Sequence, residues 1–196
     1  MHVQNQREVA VGSPDQSPGI RLICLACSQQ DLQQYRAWSR VLSDNVELLI
    51  IEVQPAARSA QGEVLLTPST DVHALAKRLH VSLSRPHAVF GQHQGAQLAF
   101  ELTILAEATY PDQTRHLFVS SCDSPHTPTL GPQLIGIKVP TTVLYPPGAL
   151  KNLLGWHGFI RRELELIELP DAQADPHLLD QRLVRIFNSH LGLLSF

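Results

Sequence analysis

At 196 residues the chain can bury one domain's core, and 43% hydrophobic against 17% charged residues marks it as globular rather than disordered. A formal net charge of -3 supplies no basic field for nucleic acid, and no apolar run approaches the length of a membrane span. The opening Met1-His2-Val3-Gln4-Asn5-Gln6-Arg7 lacks the apolar core of a signal peptide, so the expected location is the cytoplasm.

The three cysteines fit that location. Cys24 and Cys27 form a Cys-x-x-Cys match, but no second pair completes a zinc site. A redox motif would need Cys27 to open a helix directly, so both read as strand or loop cysteines. Among the histidines, His73, His80, His87, His157 and His190 show no paired i, i+4 ligand spacing. No metal and no cofactor is expected.

In chain order, residues 1–19 are rich in Gln, Ser, Pro and Gly and read as a flexible arm. Arg21 to Ala26 is the first strand, and Leu32, Tyr35, Trp38 and Leu42 mark a helix face. Val46 to Val53 is an apolar strand, followed by a loop from Pro55 to Pro68. Thr70 or Asp71 can cap a helix whose apolar face is Val72, Leu75, Leu79 and Leu83.

The stretch from His87 to Phe100 carries the most information. Ala88 to Phe90 reads as a buried strand, Gly91-x-His93-x-Gly95 follows at once, and Ala96, Leu98, Ala99, Leu102, Leu105 and Ala106 recur at helical spacing. A sharp turn at the carboxyl end of a parallel strand is where open α/β sheets place their chemistry. The serine-hydrolase form of this turn is Gly-x-Ser-x-Gly, and here the central residue is His93. Histidine is among the side chains enriched at positive φ, the backbone such an elbow requires. Two readings stay open on this stretch alone: an elbow that has lost its hydroxyl, or an ordinary strand-to-helix loop carrying two glycines.

Tyr110-Pro111-Asp112 ends that helix. His116 to Ser120 is a strand, Ser121 to Gly136 a Pro-rich loop, and Val139 to Tyr145 a strand. Ala149 to Ile160 is a short helix and Leu164 to Leu169 a strand. Asp175-Pro176 starts the final helix, whose face is Leu179, Leu183, Ile186 and Leu193. Strands alternating with helices predict an α/β fold with a mainly parallel sheet covered on both faces, and residues 20–196 as one domain.

These residues resemble the type II thioesterases of nonribosomal peptide and polyketide assembly lines, which have the α/β-hydrolase fold. Arg21 to Ser28 followed by Tyr35-Arg-Ala-Trp38 resembles the family's opening strand and its Tyr-Arg-x-Trp helix. Arg85 to Leu102 resembles its Arg-Pro-x-x-x-Phe-Gly-His-Ser-Met-Gly-Ala-x-x-Ala-Phe-Glu-Leu stretch. His116 to Ser120 with Pro125-His126, then Val139 to Leu144, Trp156 and Glu168-Leu-Pro170, follow in the same order.

The departures from the family pattern are as informative. The nucleophilic serine falls on His93, and the base falls on Gln173. The acid would follow the strand ending at Tyr145, where Pro146-Pro-Gly-Ala149 has no carboxylate. The Gly-Gly loop of the oxyanion site falls on Gln29-Gln30, so that site would rest on Ser28, Gln29, Gly91, Gln92, Gln94 and Gly95. Only a short Pro-rich connection stands where the family inserts its helical lid, so the lid is expected to be missing.

Loss of the nucleophile or the base alone typically costs about 10⁶ in rate, or about 8 kcal/mol. The resemblance therefore implies a thioesterase-like protein without the triad, binding a carrier protein, a synthetase or synthase subunit, or a second copy of itself. No nucleic acid or membrane partner is expected. The short helix with Leu150, Leu153, Trp156 and Phe159 either covers surface bared by the missing lid or docks a partner, and docking is the reading preferred here. The alternative is an enzyme of altered chemistry, an acyl hydrolase, lyase or cyclase, with His93 as base or nucleophile. Asp123, His126 and Asp171 are its candidate partners, because their loops should gather at the same sheet edge.

Overall fold

The computed structural model describes residues 8–11, 19–53, 72–125, 136–171 and 175–194. Seven strands form one sheet in the order β1-β3-β2-β4-β5-β6-β7. They are β1 (Glu8–Val11), β2 (Ile20–Ala26), β3 (Val46–Glu52), β4 (His87–Gln92), β5 (Thr114–Ser120), β6 (Thr141–Tyr145) and β7 (Leu164–Glu168). From β2 to β7 every neighbouring pair is parallel, and β1 alone runs antiparallel, against β3. The α/β-hydrolase-like architecture expected from the sequence is the architecture observed.

The expected loose arm needs correction at one place. Glu8 to Val11 pair with Ile51 to Leu48 and close that edge of the sheet. The alternating Glu-Val-Ala-Val suits an edge strand, but the polar residues around it dominate the local composition.

Helices cover both faces because the strands are apolar on both. α1 (Gln29–Trp38) and α6 (Pro176–Leu194) lie on one face. α2 (Val72–Arg78), α3 (His80–Leu83) and α4 (Gln94–Thr109) lie on the other. On the first face Tyr35, Trp38, Phe90, Phe118 and Phe187 form a buried aromatic cluster with ring centroids 4.9–5.5 Å apart. Edge and tilted contacts of this kind stabilise beyond the area they bury. The expected α2–α3 face is buried in full, Val72, Leu75, Leu79 and Leu83 included.

Two expectations for helix faces shift. Leu42 follows the end of α1 and packs only partly on the aromatic side. Leu193 is 79% exposed, because Leu191 takes the inward position in the last turn of α6. The loop Pro55–Pro68 and the caps Thr70 and Asp71 lie outside the described residues, as do residues 126–135 between β5 and β6. No helix among the described residues is long and apolar enough to cross a membrane.

α5 (Leu150–Leu153) continues as a 3-10 turn over Leu154–Gly158 and packs on α4. The Trp156 and Phe159 rings meet Phe100 edge-on at 5.5 and 5.6 Å. Leu153 and Trp156 are each only 1% exposed, so they are core residues and not docking residues. Phe159 is half-buried and Leu150 exposed. The segment covers the sheet side of α4, which corrects the preference for docking as its whole role.

Two histidines sit in the sheet as neutral groups. His87 accepts or donates at both ring nitrogens, to the Arg85 carbonyl at 2.8 Å and the Thr114 hydroxyl at 2.9 Å. His116 pairs with the Thr142 hydroxyl at 2.8 Å. Burial pushes His87 down to about 4, and burial with the nearby His190 pushes His116 down to about 3. An unfolded histidine titrates near 6.5, so below that pH the unfolded chain binds more protons than the folded one. Stability is therefore complete above about pH 6.5 and drains away as the pH falls toward these depressed values. Urea unfolding at pH 7 and at about pH 5 should differ by about 2 kcal/mol for each buried histidine. Equal midpoints would contradict this account.

Candidate functional site: the elbow between β4 and α4

The turn between β4 and α4 is built by close backbone approach. A methyl group at Gly91 would lie 2.1 Å from the Gly95 carbonyl oxygen and 2.9 Å from the Ala99 Cβ. A methyl group at Gly95 would lie 3.0 Å from the Leu25 carbonyl oxygen and 3.4 Å from the Cys27 sulfur. Neither position admits a side chain without moving backbone. The glycines thus bring α4 down onto the ends of β4 and β2, which leaves no room for a wide turn.

The tight turn forces the residue between them into an unusual conformation. His93 has φ 51° and ψ -119°, the positive φ expected from the motif. Such backbone costs about 1–3 kcal/mol and persists only where its surroundings impose it. The His93 N–H donates to the Ser120 carbonyl at 3.0 Å, and its own carbonyl accepts from Ala96 at 3.2 Å. The elbow reading of the sequence is thereby preferred over the ordinary loop.

The side chain does not share in this bonding. His93 and Gln94 are exposed, and among the described residues none bonds to the His93 ring. Asp123 and Asp171 are exposed on loops at the same edge and are not brought onto the imidazole. His126 and Gln173 lie outside the described residues. Ser121, the first residue after β5, also has positive φ, 50°, and donates its N–H to the Leu144 carbonyl.

Gln92 and Ser28 do different work from that expected of an oxyanion site. Gln92 is buried, and its amide donates to Asp31 Oδ1 and to Gln34 Oε1, both at 2.8 Å. Gln34 in turn donates to Asp180 on α6 at 2.6 Å, and the Trp38 indole donates to the same oxygen at 3.3 Å. Ser28 is the N-cap of α1, accepting from the Asp31 N–H at 3.1 Å. Asp31 Oδ2 accepts from the Cys27 N–H at 3.1 Å. The Cys27 amide, in the loop beside the elbow, is therefore committed to a carboxylate of the same chain. Gln29 opens α1 and reaches Glu52 at 3.3 Å from an exposed position.

Asp31, Gln34 and Asp180 are the residues that reading the sequence did not single out. The signal for Asp31 was present: Ser28-x-x-Asp31 is a capping-box spacing. Nothing in the sequence pointed to Asp180, which lies far along the chain from its partners. The cysteines are not activated. Burial, then the Asp31 charge, raises Cys27 to about 11, and burial, then Asp123, raises Cys122 to about 12. No group of three or more His, Cys, Asp or Glu that could hold a metal occurs among the described residues.

No family model matches the chain. It is 33% identical over 112 residues to the AMB antimetabolite synthetase AmbE of Pseudomonas aeruginosa, covering 55% of this chain and 5% of that protein. It is 29% identical over 97 residues to the linear gramicidin dehydrogenase LgrE of Brevibacillus parabrevis, covering 50% of this chain and 37% of that protein. The matched region is thus a minor part of each relative. Among solved structures, ClbQ from the colibactin NRPS/PKS pathway matches with TM-score 0.67 and 22% identity over 90% of this chain and 98% of that one. RedJ, a thioesterase from the prodiginine pathway of Streptomyces coelicolor, matches with TM-score 0.70 and 19% identity over 92% and 90%. YbtT, a type II thioesterase from the yersiniabactin NRPS/PKS pathway, gives 0.68 and 14% over 96% and 99%. The fold is thioesterase-like along nearly its whole length.

Two substitutions test the elbow's construction. Gly91→Ala drives a methyl into backbone and should cost about 3 kcal/mol or more. Gln92→Met leaves a buried oxygen of Asp31 without its donor and should cost about 1–3 kcal/mol. Chemical denaturation reads both, and an unchanged midpoint for either would refute the packing described.

Proposed function

We propose that this chain is a thioesterase-like protein that does not hydrolyse thioesters, and that it acts as a binding or accessory partner in nonribosomal peptide or polyketide biosynthesis. The observation that carries the reading is an elbow with its backbone intact and, at its centre, an imidazole to which no side chain among the described residues bonds. A serine hydrolase needs a nucleophile, a base that shuttles its proton and a group that orients the base. Here the residue at the nucleophile position is His93, and the residue expected at the base position, Gln173, cannot accept a proton from one group and return it to another. The loop amide of Cys27 donates to Asp31.

The setting rests on similarity. One relative that bears a synthetase name and solved structures from assembly-line pathways support a partner among carrier proteins and synthetase or synthase subunits. The short Pro-rich connection between β5 and β6 supports a protein without the family's helical lid, and an open site weakens the electrostatic contacts catalysis needs. A second copy of the chain is the other partner in this reading.

An enzyme of altered chemistry would use His93 as base or nucleophile, and such a histidine needs an orienting partner. Among the described residues the ring has none. Purified protein should leave acyl-pantetheine thioesters and p-nitrophenyl esters at their background rates, and His93→Ala should change nothing. Turnover that disappears in His93→Ala would overturn the proposal.

A further inference from the structure

Strand β7 ends the sheet on the side away from β1, and among the described residues it pairs with β6 alone. At the two ends of that ladder the Thr141 N–H donates to the Glu163 carbonyl and the Leu169 N–H to the Tyr145 carbonyl, both at 2.8 Å. Between them the register runs without a shift. Backbone groups of alternate strand residues point to opposite sides of the strand. Glu163, Glu165, Ile167 and Leu169 therefore bond toward β6, and Leu164, Leu166 and Glu168 turn their N–H and C=O groups outward. Among the described residues nothing bonds to them there.

Such an edge is ordinarily blunted by lysine, proline, a bulge or an inward-pointing charge. Leu164–Glu168 contains no lysine or proline and no bulge. Glu165 does carry a charge, but its carboxylate accepts from the His190 ring on α6 at 2.8 Å and from the Thr142 hydroxyl at 3.3 Å, which holds it on the α6 face. Leu164, Leu166 and Ile167 are half-buried, and Leu193, one turn past His190, is 79% exposed. An open ladder edge with apolar residues beside it calls for another strand.

The sequence of the edge names which strand. Arg161 and Arg162 precede β7, Glu168 ends it and Asp171 follows, all four exposed. An antiparallel copy of the same strand sets the basic end of each against the acidic end of the other. The outward residues also fix the register. With a two-fold axis at Leu166, that residue pairs with its own copy and Leu164 pairs with the second copy's Glu168, so every outward N–H and C=O finds a partner. An axis at Glu165 would set two glutamates opposite each other. An axis at Ile167 would set Leu164 against Pro170, which has no N–H to give. Glu163, the one charge against the trend, would stand opposite the second copy's Leu169.

We infer that two copies of this chain pair antiparallel through β7 about a two-fold axis at Leu166, which continues the seven-stranded sheet from one copy into the other. The inference rests on the binding role proposed above and names the second copy as the partner and β7 as the surface. An extended segment of another protein could use the same backbone groups, but it would not account for charges that mirror one another end to end.

Sedimentation velocity of the full chain over about a hundredfold range of concentration is the test. The parent should pass from the mass of one copy to that of two. Leu166→Pro removes an outward N–H that β6 does not use, at a kind of position where edge strands admit proline. It should raise the dissociation constant by about tenfold or more. Arg162→Glu and Glu168→Arg each set like charges together twice across the axis, and each should weaken pairing by about tenfold. Mixed in equal amounts, these two variants should pair with each other about as well as the parent does with itself, since every such contact then joins opposite charges. Thermal unfolding at the parent's midpoint confirms that each variant folds, and the charge variants carry the test if the proline variant does not.

A single copy at every concentration, pairing that a folded Leu166→Pro leaves unchanged, or charge variants whose mixture does not recover would each overturn the inference. So would a chain that stays single while a fluorescent Val-Thr repeat peptide binds it and is lost in Leu166→Pro, which would assign the edge to a foreign strand. Failure here leaves the absence of thioester turnover standing. Turnover dependent on His93 would remove that reading while leaving the self-association as measured.

Discussion

The contact on which the rest of the structure depends is the approach of α4 to β4 and β2 through Gly91 and Gly95. A single methyl at Gly91 would stand 2.1 Å from a backbone oxygen, well inside any real contact. Because the two segments come this close, the one residue that joins them must turn sharply, and His93 takes φ 51°. In a hydrolase that geometry lifts a nucleophile clear of the sheet. Here it lifts an imidazole that nothing in the described structure orients. The backbone device does not depend on the identity of the side chain it carries, and among the described residues no side chain bonds to this imidazole.

Around the elbow, polar side chains hold helices together. Gln92 joins the end of β4 to α1 through Asp31 and Gln34, and Gln34 passes the connection to Asp180 on α6. A polar network that runs from a buried residue to half-buried ones stabilises only when its members are satisfied, and these are bonded at 2.6–3.3 Å. The same Asp31 draws in the Cys27 amide. The end of β4 is thereby joined to the neighbouring helices.

The sheet and its helices were legible because they depend on periodicity, which is local. The strands from Ile20 to Ala26 and Val46 to Glu52, the α4 run and Pro176 at the start of α6 all fall within two residues of where spacing placed them. Positive φ at His93 was legible from the glycines flanking it. Glu8–Val11 was not, because an edge strand of four residues carries too short an alternation to stand out among polar neighbours. Nor was the burial of Leu153, since an apolar helix of one turn looks the same whether its leucines face a core or a partner. The polar network needed Asp180 to meet Gln34 across α6 and α1, a pairing that no local pattern encodes. Leu193 misled because helical spacing continues past the point where the sheet stops covering it.

The central claim is that packing, and not the histidine, sets the elbow. Replacing His93 with glycine removes the strained side chain and keeps every backbone contact around it. The thermal midpoint of His93→Gly is the direct measurement. The account predicts a midpoint equal to the parent's or several degrees above it, because relief of strain at positive φ offsets the added freedom of the unfolded chain. A midpoint several degrees lower would mean that the imidazole holds the turn together, and the separation of backbone from chemistry argued above would not stand.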